Sequence, residues 1–177
     1  IVLAGSGTQA FCSGMDLFTL KNLSAKGATD WVERLFNLYN SIRMFDKPCV
    51  GAINGIAAGA GFQIALLTDI RIGCDKTKMG QPEINVGLPS ILGPNLMFPS
   101  LGLSKVSELT YSGNIMSAKE LDHYGLISQM VDQSRLKTEA LNLAEKLVNK
   151  SPIAFKLTKQ SLRELSQSAF DLAFRQA

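Results

Sequence analysis

Residues 48–63, PCVGAINGIAAGAGFQ, constrain the fold more than any other stretch of this chain. Cys49 to Ile53 is a short apolar run after a proline and reads as a buried strand, and Asn54-Gly55 is a turn signal tolerant of positive φ. Gly59-Ala60-Gly61 leads into Phe62, Ile64, Ala65, Leu66 and Leu67, which predicts a buried helix starting between Ala58 and Ala60. The first N–H groups of a helix have no partner within it and lie at the positive end of its dipole, so glycine and alanine leave them open to an oxygen anion. The stretch therefore reads as an oxyanion site, a device worth roughly 3 to 4 kcal/mol per donor in catalysis. Two other readings stay open. Val50 to Leu67 is 18 residues without a formal charge, with Gly51, Gly55 and Gly59 spaced by four, as in a membrane span packed on small residues. Asn54, Gln63, the glycines and the lack of a second span argue against it. The glycines could also serve only close packing of strand on helix.

The chain has 177 residues, enough for one core with a helical appendage, and 46% apolar against 19% charged residues suit a soluble globular protein. A net charge of +3 is compatible with a phosphate-bearing small ligand, but no lysine and arginine stripe marks a nucleic-acid binder. Cys12, Cys49 and Cys74 are widely spaced without a CxxC, which indicates neither a disulfide framework nor a metal site and points to a reducing compartment, cytoplasmic or an organelle matrix. Cys49 and Cys74 read as buried small hydrophobes. Ile1 to Gly5 reads as mid-sheet and FDLAFRQA as mid-helix, so strands before residue 1 are expected in the natural protein.

Residues 1–4 form a β-type run closed by Gly5-Ser6-Gly7, and AFCSGMDL at 10–17 reads as a turn able to lend a second backbone donor. Lys21 to Ala28 looks like a polar loop. A helix then opens at Asp30 with Glu33 three residues on, burying Trp31, Leu35, Leu38, Ile42 and Phe45, and stops at Asp46-Lys47-Pro48. Asp69 to Cys74 is a strand, and the strand, helix, strand order argues for parallel pairing in an α/β fold. Residues 79–94 read as a loop around Glu83. Ser104–Ser112 is a helix ended by Gly113, Ser117 to Glu120 is a capping box, and His123 is an exposed helical side chain. Ile127–Val131 is the last strand. Beyond Arg135 the chain is helical, with Leu136, Ala140, Leu143, Ala144 and Leu147 on one face, and Ser151-Pro152 opens a helix carrying Lys156, Lys159 and Arg163. Those cations read as a solvated face or, less simply, as partners of a ligand phosphate.

Taken together and in order, AFCSGMDL, NGIAAGAGFQIALLTDIRI, GQPEINVGL and SGNIMSAKELDHYGLISQMV resemble the crotonase, or enoyl-CoA hydratase/isomerase, superfamily over essentially the whole chain. The resemblance implies a spiral of ββα turns in residues 1–134 and a C-terminal helical trimerisation region in 135–177. It implies an acyl-CoA thioester substrate, with no cofactor beyond the coenzyme A of that substrate, no metal, and a homotrimer or hexamer free of nucleic acid and membrane. The backbone N–H groups of Met15 and Ala60 match the oxyanion-hole positions, and Glu83 matches a catalytic glutamate. Ser13, Asp16 and Leu17 match the coenzyme A and pantetheine path, with Gly59 and Pro82 beside them. Gln63 departs from the pattern, because hydratases of the family carry a second glutamate there; an amide cannot act as general base. LPSILGP at 88–94 departs too, where hydratases are richer in glycine. Both departures tilt the expectation slightly from hydration toward double-bond isomerisation in fatty-acid-type metabolism, with an acyl-CoA-binding remnant, decarboxylation and thioester hydrolysis as alternatives.

Overall fold

The computed structural model describes residues 1–177 as short strands alternating with helices. In chain order these are β1 (Val2–Ala4), β2 (Ala10–Cys12), α1 (Leu17–Lys21), α2 (Ala25–Arg43), β3 (Val50–Ile53), β4 (Ile56–Ala58), α3 (Ala60–Leu67), β5 (Ile70–Gly73) and β6 (Lys78–Gly80). A 3-10 turn at Pro82–Val86 leads to α4 (Leu92–Ser112), β7 (Ile115–Ser117), α5 (Ala118–His123), β8 (Gln129–Met130), α6 (Leu136–Val148) and α7 (Pro152–Gln176).

The strands sort into two sheets. β1, β3, β5 and β8 form one, all parallel; β2, β4, β6 and β7 form the other, with only β7 antiparallel. Each consecutive pair therefore splits, one strand to each sheet, before a helix returns the chain. That is the ββα spiral, and it explains why the strands are so short. The bend between β3 and β4 is clamped by buried Asn54: its Oδ1 accepts from the Gly5 N–H at 2.9 Å, and its Nδ2 donates to the Gly7 carbonyl at 3.0 Å. One side chain thus ties the bend of one turn to that of the next.

Three clusters fill the interior. Ile53, Phe62, Met79, Met97, Leu109 and Leu121 join β3 of the first sheet and β6 of the second to α3, α4 and α5. Leu35, Tyr39, Leu67, Leu92 and Phe170 join α2, α3, α4 and α7. Val50, Ala52, Ile72 and Cys74 meet Leu136 and Ala140, so α6 covers the first sheet with the predicted stripe. Cys49 and Cys74 are both fully buried. No helix is long and apolar enough to cross a membrane, because the uncharged run is divided among β3, β4 and α3.

Several expectations are corrected. A strand, β4, lies between the Asn-Gly bend and α3, and AFCSGMDL contains β2 and the start of α1 rather than a turn alone. Helix α2 begins at Ala25, where the Ser24 hydroxyl accepts from the Gly27 N–H at 3.1 Å; a serine cap has displaced the predicted aspartate. Its inward face uses Tyr39, while Leu38 is 45% exposed. Residues 79–94 are a strand end, a 3-10 turn and the start of α4, whose halves meet at a kink at Gly102. Lys156 pairs with Asp46 at 2.7 Å and Lys159 with Asp69 at 2.8 Å, while Arg163 donates to the Arg43 carbonyl. Lys156 stays on the solvated face, whereas Lys159 and Arg163 are partly buried and dock α7 on the body.

Candidate active site

Three segments reach the site from the same end of the second sheet. β2, β4 and β6 are adjacent and parallel, with Cys12 opposite Ala57 and Ala58 opposite Gly80, so whatever follows each strand emerges side by side. After β2 comes Ser13 to Leu17, after β4 Gly59 to Gln63, and after β6 Gln81 to Glu83.

The first two segments touch directly. A Cβ on Gly61 would stand 2.0 Å from the Cys12 carbonyl oxygen, so this packing demands glycine. Ala60 is the first residue of α3, whose cap residue Gly59 supplies no side-chain hydrogen bond. The N–H groups of Met15 and Ala60 donate to nothing in the backbone network, and both residues line the two chambers of the site. Asp16 lines neither chamber. It caps α1, its carboxylate accepting from the Phe18 N–H at 2.9 Å and the Thr19 hydroxyl at 2.8 Å. The Thr19 bond and then the Phe18 bond hold its pKa below the ordinary value.

Glu83 sits in the first turn of the 3-10 segment behind Pro82 and is 8% exposed. Its Oε1 lies over Gly59, where a Cβ would be 3.2 Å away, and Gly59 itself holds φ 55° and ψ −123°. Burial raises the Glu83 carboxyl above its ordinary pKa, opposed by a backbone hydrogen bond. Gln63 is also buried: its Oε1 accepts from the Tyr39 hydroxyl at 2.7 Å and its Nε2 lies 3.4 Å from Glu83 Oε1. The orientation of the fully buried Gln81 amide is assigned from its hydrogen bonds: with its nitrogen toward Glu83, 2.7 Å from Oε2, its oxygen accepts from Gln63 Nε2 at 3.1 Å. The opposite orientation would press the amide oxygen against the carboxylate.

Two chambers meet at this cluster. The outer one, about 180 Å³, is bounded by Ser13, Met15, Leu17, Gly59, Pro82 and Glu83. The inner one, about 310 Å³, is walled mainly by apolar side chains, among them Leu20, Trp31, Leu35 and Ile91. Glu83 is the only ionisable side chain lining either. Larger recesses of about 630 and 450 Å³ lie along α7; the first contains none of the predicted residues, and the second is lined by Lys159 and Arg163 but by none of the three segments around Glu83. No three His, Cys, Asp or Glu side chains stand together as a metal-binding set. Two residues of the site escaped the sequence reading: Tyr39, for which a polar-tipped aromatic at i+4 from Leu35 was the signal, and Gln81, quoted in its motif but assigned no role.

A two-sheet ββα spiral whose chambers are lined by Glu83 together with Met15 and Ala60 is an architecture of the crotonase type. The chain belongs to the enoyl-CoA hydratase/isomerase family, whose model matches residues 1–175. It is 30% identical over 174 residues to a crotonyl-CoA hydratase of Syntrophomonas wolfei, an alignment covering 98% of this chain and 67% of that one. It is 31% identical over 175 residues to a carnitinyl-CoA dehydratase of Escherichia coli, with the same coverage. Among solved structures it is similar to an enoyl-CoA hydratase from Bacillus anthracis, with TM-score 0.86, 27% identity, and coverage of 98% of this chain and 70% of that one. The chain thus spans about two thirds of the length of these relatives.

Proposed function

We propose that this chain carries the acyl-CoA site of an enoyl-CoA isomerase that works with one carboxylate. The observation that carries the proposal is that Glu83 is the sole ionisable side chain lining the chambers, with the Gln63 amide, not a second carboxyl, 3.4 Å from it. The thioester oxygen of a 3-enoyl-CoA would take the Met15 and Ala60 N–H groups, with coenzyme A leaving past Ser13 and Leu17 and the acyl chain lying in the inner chamber. Two donors on the carbonyl acidify the adjacent C–H and stabilise the enolate. Glu83 removes a proton from C2; the electron pair delocalises as a dienolate over O, C2 and C4. Glu83 then returns the proton to C4, leaving the double bond between C2 and C3. One carboxyl group suffices because it ends in the state in which it began.

Hydration of a 2-enoyl-CoA by the same glutamate is the second reading, favoured by the hydratase names of the relatives at 30% identity. A homotrimer or hexamer is part of the proposal, supported by Ile153, Leu162 and Leu165 of α7, which are 73%, 63% and 84% exposed. The test is to supply 2-enoyl- and 3-enoyl-CoA to the protein in deuterated water. Conversion of 3-enoyl to 2-enoyl without water addition, slowed roughly 100-fold or more in Glu83→Gln, is the expected result. Water addition alone would select the hydratase reading. Binding without turnover or α-proton exchange would leave an acyl-CoA-binding protein and sink both.

A further inference from the structure

The buried face of α2 brings one polar group to the site from outside its three segments. Tyr39 is fully buried, its ring edge-on to Phe174 at 5.9 Å and its hydroxyl 2.7 Å from Gln63 Oε1. The Ala60 carbonyl is a longer alternative at 3.4 Å, and a phenol has one proton to give. Burial, then the neighbouring Glu83 and Cys12, push the phenol above its ordinary pKa, so it stays a donor throughout the working range. With its oxygen taken by Tyr39, Gln63 can turn only its NH₂ toward Glu83 and the Gln81 carbonyl oxygen. Gln81 in turn donates to the carboxylate. Tyr39, Gln63, Gln81 and Glu83 are thus joined head to tail, each amide accepting at one end and donating at the other, an arrangement in which the bonds polarise one another.

We propose that Tyr39 is a positioning residue: by donating to Gln63 it sets the direction of a buried amide relay that ends on Glu83 and holds that carboxylate as a hydrogen-bonded base. Its catalytic meaning rests on Glu83 being the proton carrier, as proposed above, while the relay can be read without turnover. Without the hydroxyl, Gln63 Oε1 is a buried acceptor lacking a donor. The amide then rotates and presents oxygen to Glu83, which repels the ionised carboxyl and accepts a bond from the protonated one. Besides Glu83, the titratable side chain acting on Tyr39 is Cys12 of β2, and the other side chains lining the chambers do not ionise.

The test is direct titration of Glu83 by carboxyl-carbon NMR in glutamate-labelled protein, with Glu83→Gln providing the assignment. It compares wild type, Tyr39→Phe, Gln63→Leu and the double variant. Each single substitution is expected to tighten proton binding by Glu83 roughly tenfold, the scale of one hydrogen bond to a charged group. The double variant is expected to match Gln63→Leu alone, because Tyr39 acts through Gln63. If turnover is found, Tyr39→Phe lowers kcat about tenfold with KM little changed and moves the acid limb of the profile to higher pH. An unmoved titration in folded Tyr39→Phe overturns the proposal, as do additive shifts in the double variant. Tyr39→Phe keeps the ring against Phe174; should it nonetheless fail to fold, the wild-type spectrum decides. A slowly exchanging, downfield Tyr39 hydroxyl proton is expected there, and its absence refutes the donor role. Titrations that move as expected in a protein without turnover would leave the relay standing and remove only the enzyme reading.

Discussion

Gln63→Glu places a second carboxyl where the amide nitrogen lies 3.4 Å from Glu83 Oε1. At an effective dielectric constant of about 20, two unit charges at that separation repel by about 5 kcal/mol. The Tyr39 hydroxyl, 2.7 Å from the other atom of the side-chain head, would offset some of this by donating to the new carboxylate. A hydrogen bond to a charged group contributes about 1.5 to 3 kcal/mol, so repulsion wins by about 2 to 3.5 kcal/mol and the pair holds a shared proton to higher pH than Glu83 alone. The sign follows from proton binding. Burial already raises Glu83 above its ordinary value of 4.5, so the folded protein binds more protons than the unfolded chain above that pH. The stabilisation from this group is fully present below the unfolded pKa and is lost as pH rises through the folded one. A coupled second carboxyl extends the loss upward. Urea denaturation of wild type and variant from about pH 4 to about pH 8 should therefore show the variant losing about 2 kcal/mol more across the range. The variant should also gain water addition to 2-enoyl-CoA, since the shared proton supplies an acid beside a base. Parallel stability profiles would mean that the carboxyls do not interact, and would refute the geometry on which the one-carboxylate argument depends.

Gly59→Ala asks a side chain to adopt φ 55° and to place its Cβ 3.2 Å from Glu83 Oε1. It should cost about 1 to 3 kcal/mol in urea denaturation and lower kcat by displacing the carboxylate; wild-type kcat in the folded variant would refute that placement. Ser24→Ala removes the cap of α2, in which Ser24 Oγ accepts from Gly27. The expected cost is about 1 kcal/mol with kcat unchanged, because cap and relay lie at different points of the helix, and a kcat loss would show that they are coupled.

Much of the fold was legible because its signals are local. Asn54-Gly55 breaks the chain, Gly113 and the Ser117 to Glu120 box end one helix and begin another, and the stripe from Leu136 to Leu147 has helical period. The strands that were missed, β2, β4, β6 and β7, are three residues each. Alternation cannot declare itself over so short a run, and AFC or KMG owes its extended form to the neighbouring strand rather than to propensity. The start of α2 was misread for a different reason. Ser24 and Asp30 are both competent caps, and the alanines and lysine between them do not periodically bury, so only packing of the later turns decides where the helix begins.

The site divides along the same line between local and non-local. Glycines 59 and 61 and the Pro82-Glu83 step advertise themselves, because close approach and a strained φ leave few residue choices. What the sequence could not yield is which side chains share a hydrogen bond. Gln63 and Gln81 are 18 residues apart and Tyr39 is 24 from Gln63. They meet because β4 and β6 are neighbours in one sheet and because α2 packs on α3 through Leu35 and Tyr39. In the sequence, glutamine at 63 is only the absence of a carboxylate. In the fold it is a polar group with both ends engaged, and that changes its meaning. A site that had merely lost an acid would leave a buried amide unsatisfied, costing about 1 to 3 kcal/mol, whereas here each end of the amide is matched by a partner of the right kind. The environment engages both ends of an amide, which supports the one-carboxylate reading proposed above.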